Sequence, residues 1–151
     1  MPKTIQQTVS LPAPAAELYR MYLSPSAHAA ITGAPVTIGA RPGARFRAFG
    51  GALSGRMLHT RPGRMIVQTW RSSHFGPDDP DSILVLTFSG RGSRGRIQMV
   101  HAHVADRDAR GVRQGWPTYY WRPWRAYLAS RTHGGGTTRR AIPGMRRARL
   151  D

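Results

Sequence analysis

At 151 residues and 40% hydrophobic content, the chain has the length of one domain with a core of its own. It contains no cysteine, which excludes disulfides and thiolate chemistry, and its first ten residues lack a signal-peptide core while no run reaches membrane-spanning length, so a cytoplasmic location is the expectation. The net charge of +16, carried by arginine everywhere but Lys3, divides into +4 on residues 132–151 and +12 on residues 1–131, so the bias is global and offers nucleic acid only a non-specific attraction.

Ile5–Ser10 reads as a first strand, ended by Pro12. Ala15, Leu18, Tyr19, Tyr22 and Leu23 recur at i, i+3, i+4, i+7 and i+8, which predicts an amphipathic helix over residues 13–23. Ser24 and Pro25 then act as N-cap and first residue of a second short helix, running to Thr32 and closed by Gly33. From Pro35 the pattern changes to strands between turns. Val36–Ala40 precedes a turn at Arg41-Pro42-Gly43. Arg45–Phe49 runs into Gly50-Gly51, a two-residue hairpin signal. Leu53–Thr60, Arg64–Ser72, Ile83–Ser89 and Arg96–Val104 follow, separated by Pro62-Gly63, a polar loop from His74 to Asp81, and a Gly-rich hairpin from Gly90 to Gly95. Short turns make this an antiparallel meander.

The last element is a helix over roughly Ala109–Ser130. Pro117 and Pro123 each remove a backbone donor and crowd the preceding turn, so the regular helix is expected to begin near Pro117 and to kink at Pro123. Six of the thirteen aromatic residues lie between Trp116 and Tyr127. At helical spacing Trp116, Tyr119, Tyr120, Trp124 and Tyr127 share one face of about 140°, with Trp121 on the opposite edge beside Leu128 as a partner or homodimer contact. Residues 132–151 lack periodicity and read as a disordered Arg/Gly-rich tail. The order β-α-α-β6-α describes an α+β helix-grip architecture, a curved antiparallel sheet around one long helix.

The segments Ile66–Arg71, Asp81–Phe88 and Gly115-Trp116 with Tyr119-Tyr120 resemble the C-terminal domain of activators of the heat-shock-protein-90 ATPase, within the START-like, or SRPBCC, superfamily. Ala34-Pro35-Val36 and Gly50-Gly51 fall where that family has similar features, and the likeness covers residues 3–131. It implies a helix-grip domain with an internal cavity, and a co-chaperone role in some eukaryotic members. Those members add an N-terminal domain that has no counterpart here, and one domain does not inherit the activity of two.

The residues give little support to catalysis. Glu17 is the sole glutamate, the aspartates fall in loops or the tail, and neither paired carboxylates nor a nucleophile elbow is present. His101 and His103 stand two apart on a strand and are expected on one face, with His59 on another strand. They read as hydrogen-bonded groups at the sheet's end or cavity wall. A metal site would need a third ligand, so no metal or other cofactor is expected. The weaker enzymatic alternative, cyclase- or hydrolase-like, would use His101 or a tyrosine. The leading expectation is a non-enzymatic domain binding an apolar or amphipathic small molecule. Its cavity would be walled by Trp116, Tyr120 and Trp124 on the helix, facing Phe49, Met57, Trp70 and Phe88, with His101 beside them. A chaperone is the alternative partner. The loop from His74 to Asp81 is either a lid or plain surface.

Overall fold

The computed structural model describes residues 1–132. From residue 133 on, the segment read above as a disordered tail lies outside the described residues. The elements follow in the expected order: β1 (Lys3–Leu11), α1 (Ala15–Leu23), α2 (Pro25–Thr32), β2 (Val36–Thr37), β3 (Arg45–Ala48), β4 (Leu53–Arg61), β5 (Met65–Ser72), β6 (Ser82–Arg91), β7 (Arg94–Val104), α3 (Ala109–Trp116) and α4 (Arg122–Thr132). The strands make one curved antiparallel sheet in the order β1-β7-β6-β5-β4-β3-β2. Strand alternation sends Ile66, Leu84, Leu86, Phe88, Ile97 and Met99 inward, where they meet Leu18, Tyr22 and the C-terminal helix.

The restart between α1 and α2 forms as its residues dictate. Ser24 Oγ accepts from the Ala27 amide at 3.2 Å, Pro25 begins the helix, and Gly33 closes it at φ 83° in the left-handed region. Other boundaries differ. β2 is only two residues long. β3 and β4 are joined by four residues, Phe49–Ala52, in place of a two-residue turn, because Phe49 itself takes positive φ (51°) ahead of Gly50 and Gly51. For a bulky side chain that conformation costs about 1–3 kcal/mol.

The C-terminal helix corrects the sequence reading in two respects. It is already regular from Ala109, after a 3-10 turn over Asp106–Asp108, rather than from Pro117, and it passes Pro117 through a π turn at Pro117–Trp121, with Pro123 following in the first turn of α4. The Arg122 amide there donates to the carbonyl of Pro117, five residues back. Pro117 supplies no donor to the carbonyl of Arg113, and the Gln7 side chain on β1 fills that vacancy with its Nε2 at 2.9 Å. The wide turn also resets the buried face. Val112, Trp116, Tyr120, Trp124 and Leu128 step by four, which drifts about 40° per step in a regular helix and is recovered by the π turn. Trp121 is thereby buried, stacked between Trp116 and Trp124, with its Nε1 donating to Gln7 Oε1 at 2.7 Å. Tyr119 is turned out and 56% exposed, and Tyr127 is only half-buried. Trp121 is therefore an anchor of the helix on the sheet and not an outward contact.

A second correction concerns β7. Ile5 pairs with His101 but Lys3 with Val104, so one extra residue bulges from the strand, and His103 carries it at φ 61°. The bulge breaks the alternation: His101 is fully buried and His103 is exposed, so the two do not share a face.

Candidate functional site

One apolar cleft opens where α3 crosses the end of β4 and β5. Its volume is about 490 Å3, and Phe49, Leu53, Trp70, Trp116, Tyr119 and Tyr120 form its aromatic and aliphatic walls. On the helix side Val112, Trp116, Tyr119 and Tyr120 line it, with two glycines among them. Gly111 and Gly115, one helical turn apart, both line the cleft, and a Cβ at Gly115 would meet only Tyr119 ring carbons, at 3.6 Å. Glycine inside a helix costs about 1 kcal/mol relative to alanine, so two of them on one stripe keep side chains out of this space at the expense of helix stability. Ser72, Ser73, His74 and Asp108 make a polar rim, with His74 Nδ1 3.8 Å from Asp108 Oδ1. Phe49 and Tyr119 meet edge to face at 5.6 Å between ring centres, so the strained Phe49 backbone holds one wall.

Two buried polar networks lie behind the cleft. In the first, Trp116 Nε1 donates to His101 Nδ1 at 3.2 Å, which fixes the imidazole proton on Nε2. Nε2 then donates to Ser82 Oγ at 2.9 Å, and the Ser82 hydroxyl donates to the Trp70 carbonyl at 2.6 Å. Burial lowers the His101 pKa to about 3, and the indole N–H aimed at Nδ1 opposes a second proton there. In the other network, His28 Nδ1 donates to the Tyr22 carbonyl at 2.7 Å and Nε2 accepts from Tyr120 Oη at 2.8 Å. Burial lowers His28 to about 4 against the raising effect of its backbone hydrogen bond. Burial also raises both Tyr22, with a further push from Tyr120, and Tyr120 itself. The Tyr22 hydroxyl donates to Gln68 Oε1 at 2.7 Å. Each network ties the helix to the sheet or to α2 and is closed on itself, so His101, with both nitrogens engaged and no exposed surface, is not placed to act as a base in the cleft.

Of the residues expected to wall a cavity, Phe49, Trp70, Trp116 and Tyr120 come together in the cleft. Met57, Phe88, His101 and Trp124 lie elsewhere, in the packed interior. Trp124 has an unpartnered buried Nε1. The sequence reading overlooked Gly111 and Gly115, although two glycines four apart within a helical segment were a visible signal. It also overlooked His28, which shares a face with Ile31, and Gln7, a polar residue at the apolar phase of Ile5, Val9 and Leu11. The loop after β5 is pinned: Arg71 donates to the carbonyls of Gly76 and Asp79 at 2.7 Å each and pairs with Asp81, while Arg107 pairs with Asp79. Among the described residues no three His, Asp or Glu converge as a metal site, and no helix is long and apolar enough to cross a membrane.

Comparison with known proteins points one way. The family described as "Activator of Hsp90 ATPase homolog 1-like protein" matches residues 12–129. An uncharacterised protein of Schizosaccharomyces pombe is 32% identical over 119 residues, covering 79% of this chain and 35% of that protein. The human activator of 90 kDa heat shock protein ATPase homolog 1 is 30% identical over 104 residues, 69% of this chain and 30% of the relative. The chain thus spans about a third of the length of these curated relatives. Among solved structures, an HSP90 activator from Plasmodium falciparum superposes with a TM-score of 0.76 at 15% identity, covering 83% of this chain and 96% of that one. CalU16 from Micromonospora echinospora superposes with a TM-score of 0.65 at 20% identity, covering 95% and 82%. At those identities the structural likeness speaks to the fold.

Proposed function

The chain belongs to the Activator of Hsp90 ATPase homolog 1-like family, and from that premise we propose that it is a non-enzymatic START-like domain binding an apolar or amphipathic small molecule between α3 and the sheet. The observation that carries this reading is the cleft of about 490 Å3 beneath a helix stripped of side chains at Gly111 and Gly115, a size within the usual range for small-molecule sites. Aromatic walls would hold the apolar body of the ligand, and Ser73, His74 and Asp108 at the rim would meet a polar end. The sealed imidazole of His101 and the ion-paired aspartates of the loops favour binding over turnover.

The test is a thermal-shift screen with uncharged apolar and amphiphilic ligands, run on the wild type and on Gly115→Leu. Leucine favours the helix over glycine by about 1 kcal/mol and projects into the cleft, so the variant should remain folded with its cleft filled. A ligand that raises the Tm of the wild type and leaves Gly115→Leu unmoved supports the assignment. No stabilisation by any ligand class rejects it.

A second reading, a co-chaperone module acting on a 90 kDa heat shock protein, is favoured by the 30% identity to the human activator. It predicts that the chain changes the ATP turnover of its cognate chaperone. Unchanged turnover at saturating concentration removes that reading and leaves the cleft untouched.

A further inference from the structure

Charge is unevenly distributed along the sheet. Asp78, Asp79, Asp81, Asp106 and Asp108 all lie between β5 and β6 or directly after β7, near the cleft, and four of them meet Arg107, Arg71, Lys3 and His74 there. At the other end, the β4–β5 and β6–β7 hairpins present Arg61, Arg64, Arg91, Arg94 and Arg96, and neither hairpin contains a carboxylate. Glu17, on α1, is held by Arg131 at 3.0 Å.

Register concentrates the β6–β7 arginines. Ser10 on β1 and Ser89 on β6 flank Arg96 from either side, and Arg91 sits directly opposite Arg94. The pair between these rows, Gly90 and Gly95, belongs to the opposite face of the sheet, where Gly95 lies against Ala13 and Leu18, so both rows project from the same outer face. Together these seven residues line an open dish of about 630 Å3. Arg125 donates to the Ser10 carbonyl at 2.7 Å and brings a fourth guanidinium beside it. Like charges directly opposite in a hairpin are destabilising, yet the guanidiniums of Arg91, Arg94 and Arg96 and the hydroxyls of Ser10 and Ser89 have no partner among the described residues.

We propose that this dish is a phosphoryl-binding site. Guanidinium forks match the oxygens of a phosphate in pairs, the two serine hydroxyls add donors at the flanks of Arg96, and a concave wall of one sign concentrates the field on the anion. The dish contains no apolar or aromatic side chain, so it holds the charged group alone. A terminal phosphate or pyrophosphate, with more than one negative charge, suits three guanidiniums better than a phosphodiester. A soluble phosphate ester and a lipid headgroup share that chemistry. The site is separate from the cleft and independent of what the cleft binds.

Pyrophosphate titration of the full chain, followed by amide chemical shifts in NMR, tests this against two variants of equal charge: Arg94→Gln/Arg96→Gln in the dish and Arg45→Gln/Arg47→Gln on β3. Saturable shifts centred on Gly90, Gly92 and Gly95 are expected in the wild type and the β3 variant, with binding about tenfold or more weaker in the dish variant. Equal weakening in both variants, or shifts spread over every arginine-bearing strand, overturns the proposal in favour of diffuse charge attraction. Vesicles containing phosphatidic acid separate the two sources. Vesicle binding competed by pyrophosphate supports the site with a lipid headgroup as ligand, and pyrophosphate binding without vesicle binding supports it with a soluble ester. Without ligand, Arg94→Gln should melt no lower than the wild type, since it relieves the Arg91–Arg94 repulsion; a lower Tm contradicts that part of the argument.

Discussion

His101 and His28 illustrate how a single residue's role here depends on its partners. Both imidazoles are buried and neutral, at pKa about 3 and about 4, because burial penalises the charged form. In the unfolded chain each protonates near its ordinary value of 6.5. The unfolded state therefore takes up more protons as pH falls below 6.5, and stability that is complete above that pH declines toward pH 4. The slope approaches about 1.4 kcal/mol per pH unit for each histidine. Urea denaturation at pH 7, 6 and 5 should show this decline, and His28→Gln should flatten it by about half. A stability that does not change between pH 7 and 5 would contradict the buried neutral assignment. The sequence showed His101 on a strand beside apolar residues, which was enough to predict a hydrogen-bonded imidazole. It did not show the bulge at His103, since an extra residue in one strand leaves no mark on hydrophobic alternation that short.

At the scale of elements, the C-terminal helix carries the largest difference between sequence and structure. Its existence, length and aromatic content were legible, and so was the strand meander beneath it. Its buried face was legible at Trp116, Tyr120 and Trp124 but not at Tyr119, Trp121 and Tyr127, because a 3.6-residue period does not hold across the π turn at Pro117–Trp121. The difference is measurable. Trp121→Ala should destabilise by about 3–5 kcal/mol, the range for a large buried aromatic side chain, whereas Tyr119→Ala, on an exposed side chain, should stay within about 1 kcal/mol. A periodic helix would give the reverse order. Gln7→Ala removes both the donor to the Arg113 carbonyl and the acceptor of Trp121, and should lower stability by about 1–3 kcal/mol in a chemical denaturation midpoint. Unchanged stability would mean that water replaces both bonds.

For the whole molecule, fold and charge are arranged around one sheet with an apolar cleft at one end and uncompensated arginines at the other. The order of elements and the turns that enforce antiparallel pairing made the architecture readable from sequence alone. The cleft was only half readable. Phe49, Trp70, Trp116 and Tyr120 were expected there from their size and position, but Gly111 and Gly115 also line the space without adding a side chain to it, and an absence of atoms is harder to see in a hydropathy pattern than a tryptophan. The central claim is that this space takes a ligand. A titration of the neutral apolar dye Nile red into wild type and Gly115→Leu, read as fluorescence and stoichiometry, tests it most directly. One saturable site in the wild type, lost in Gly115→Leu at an equal or higher Tm, is the predicted result; equal enhancement in both proteins, or none in either, would contradict it.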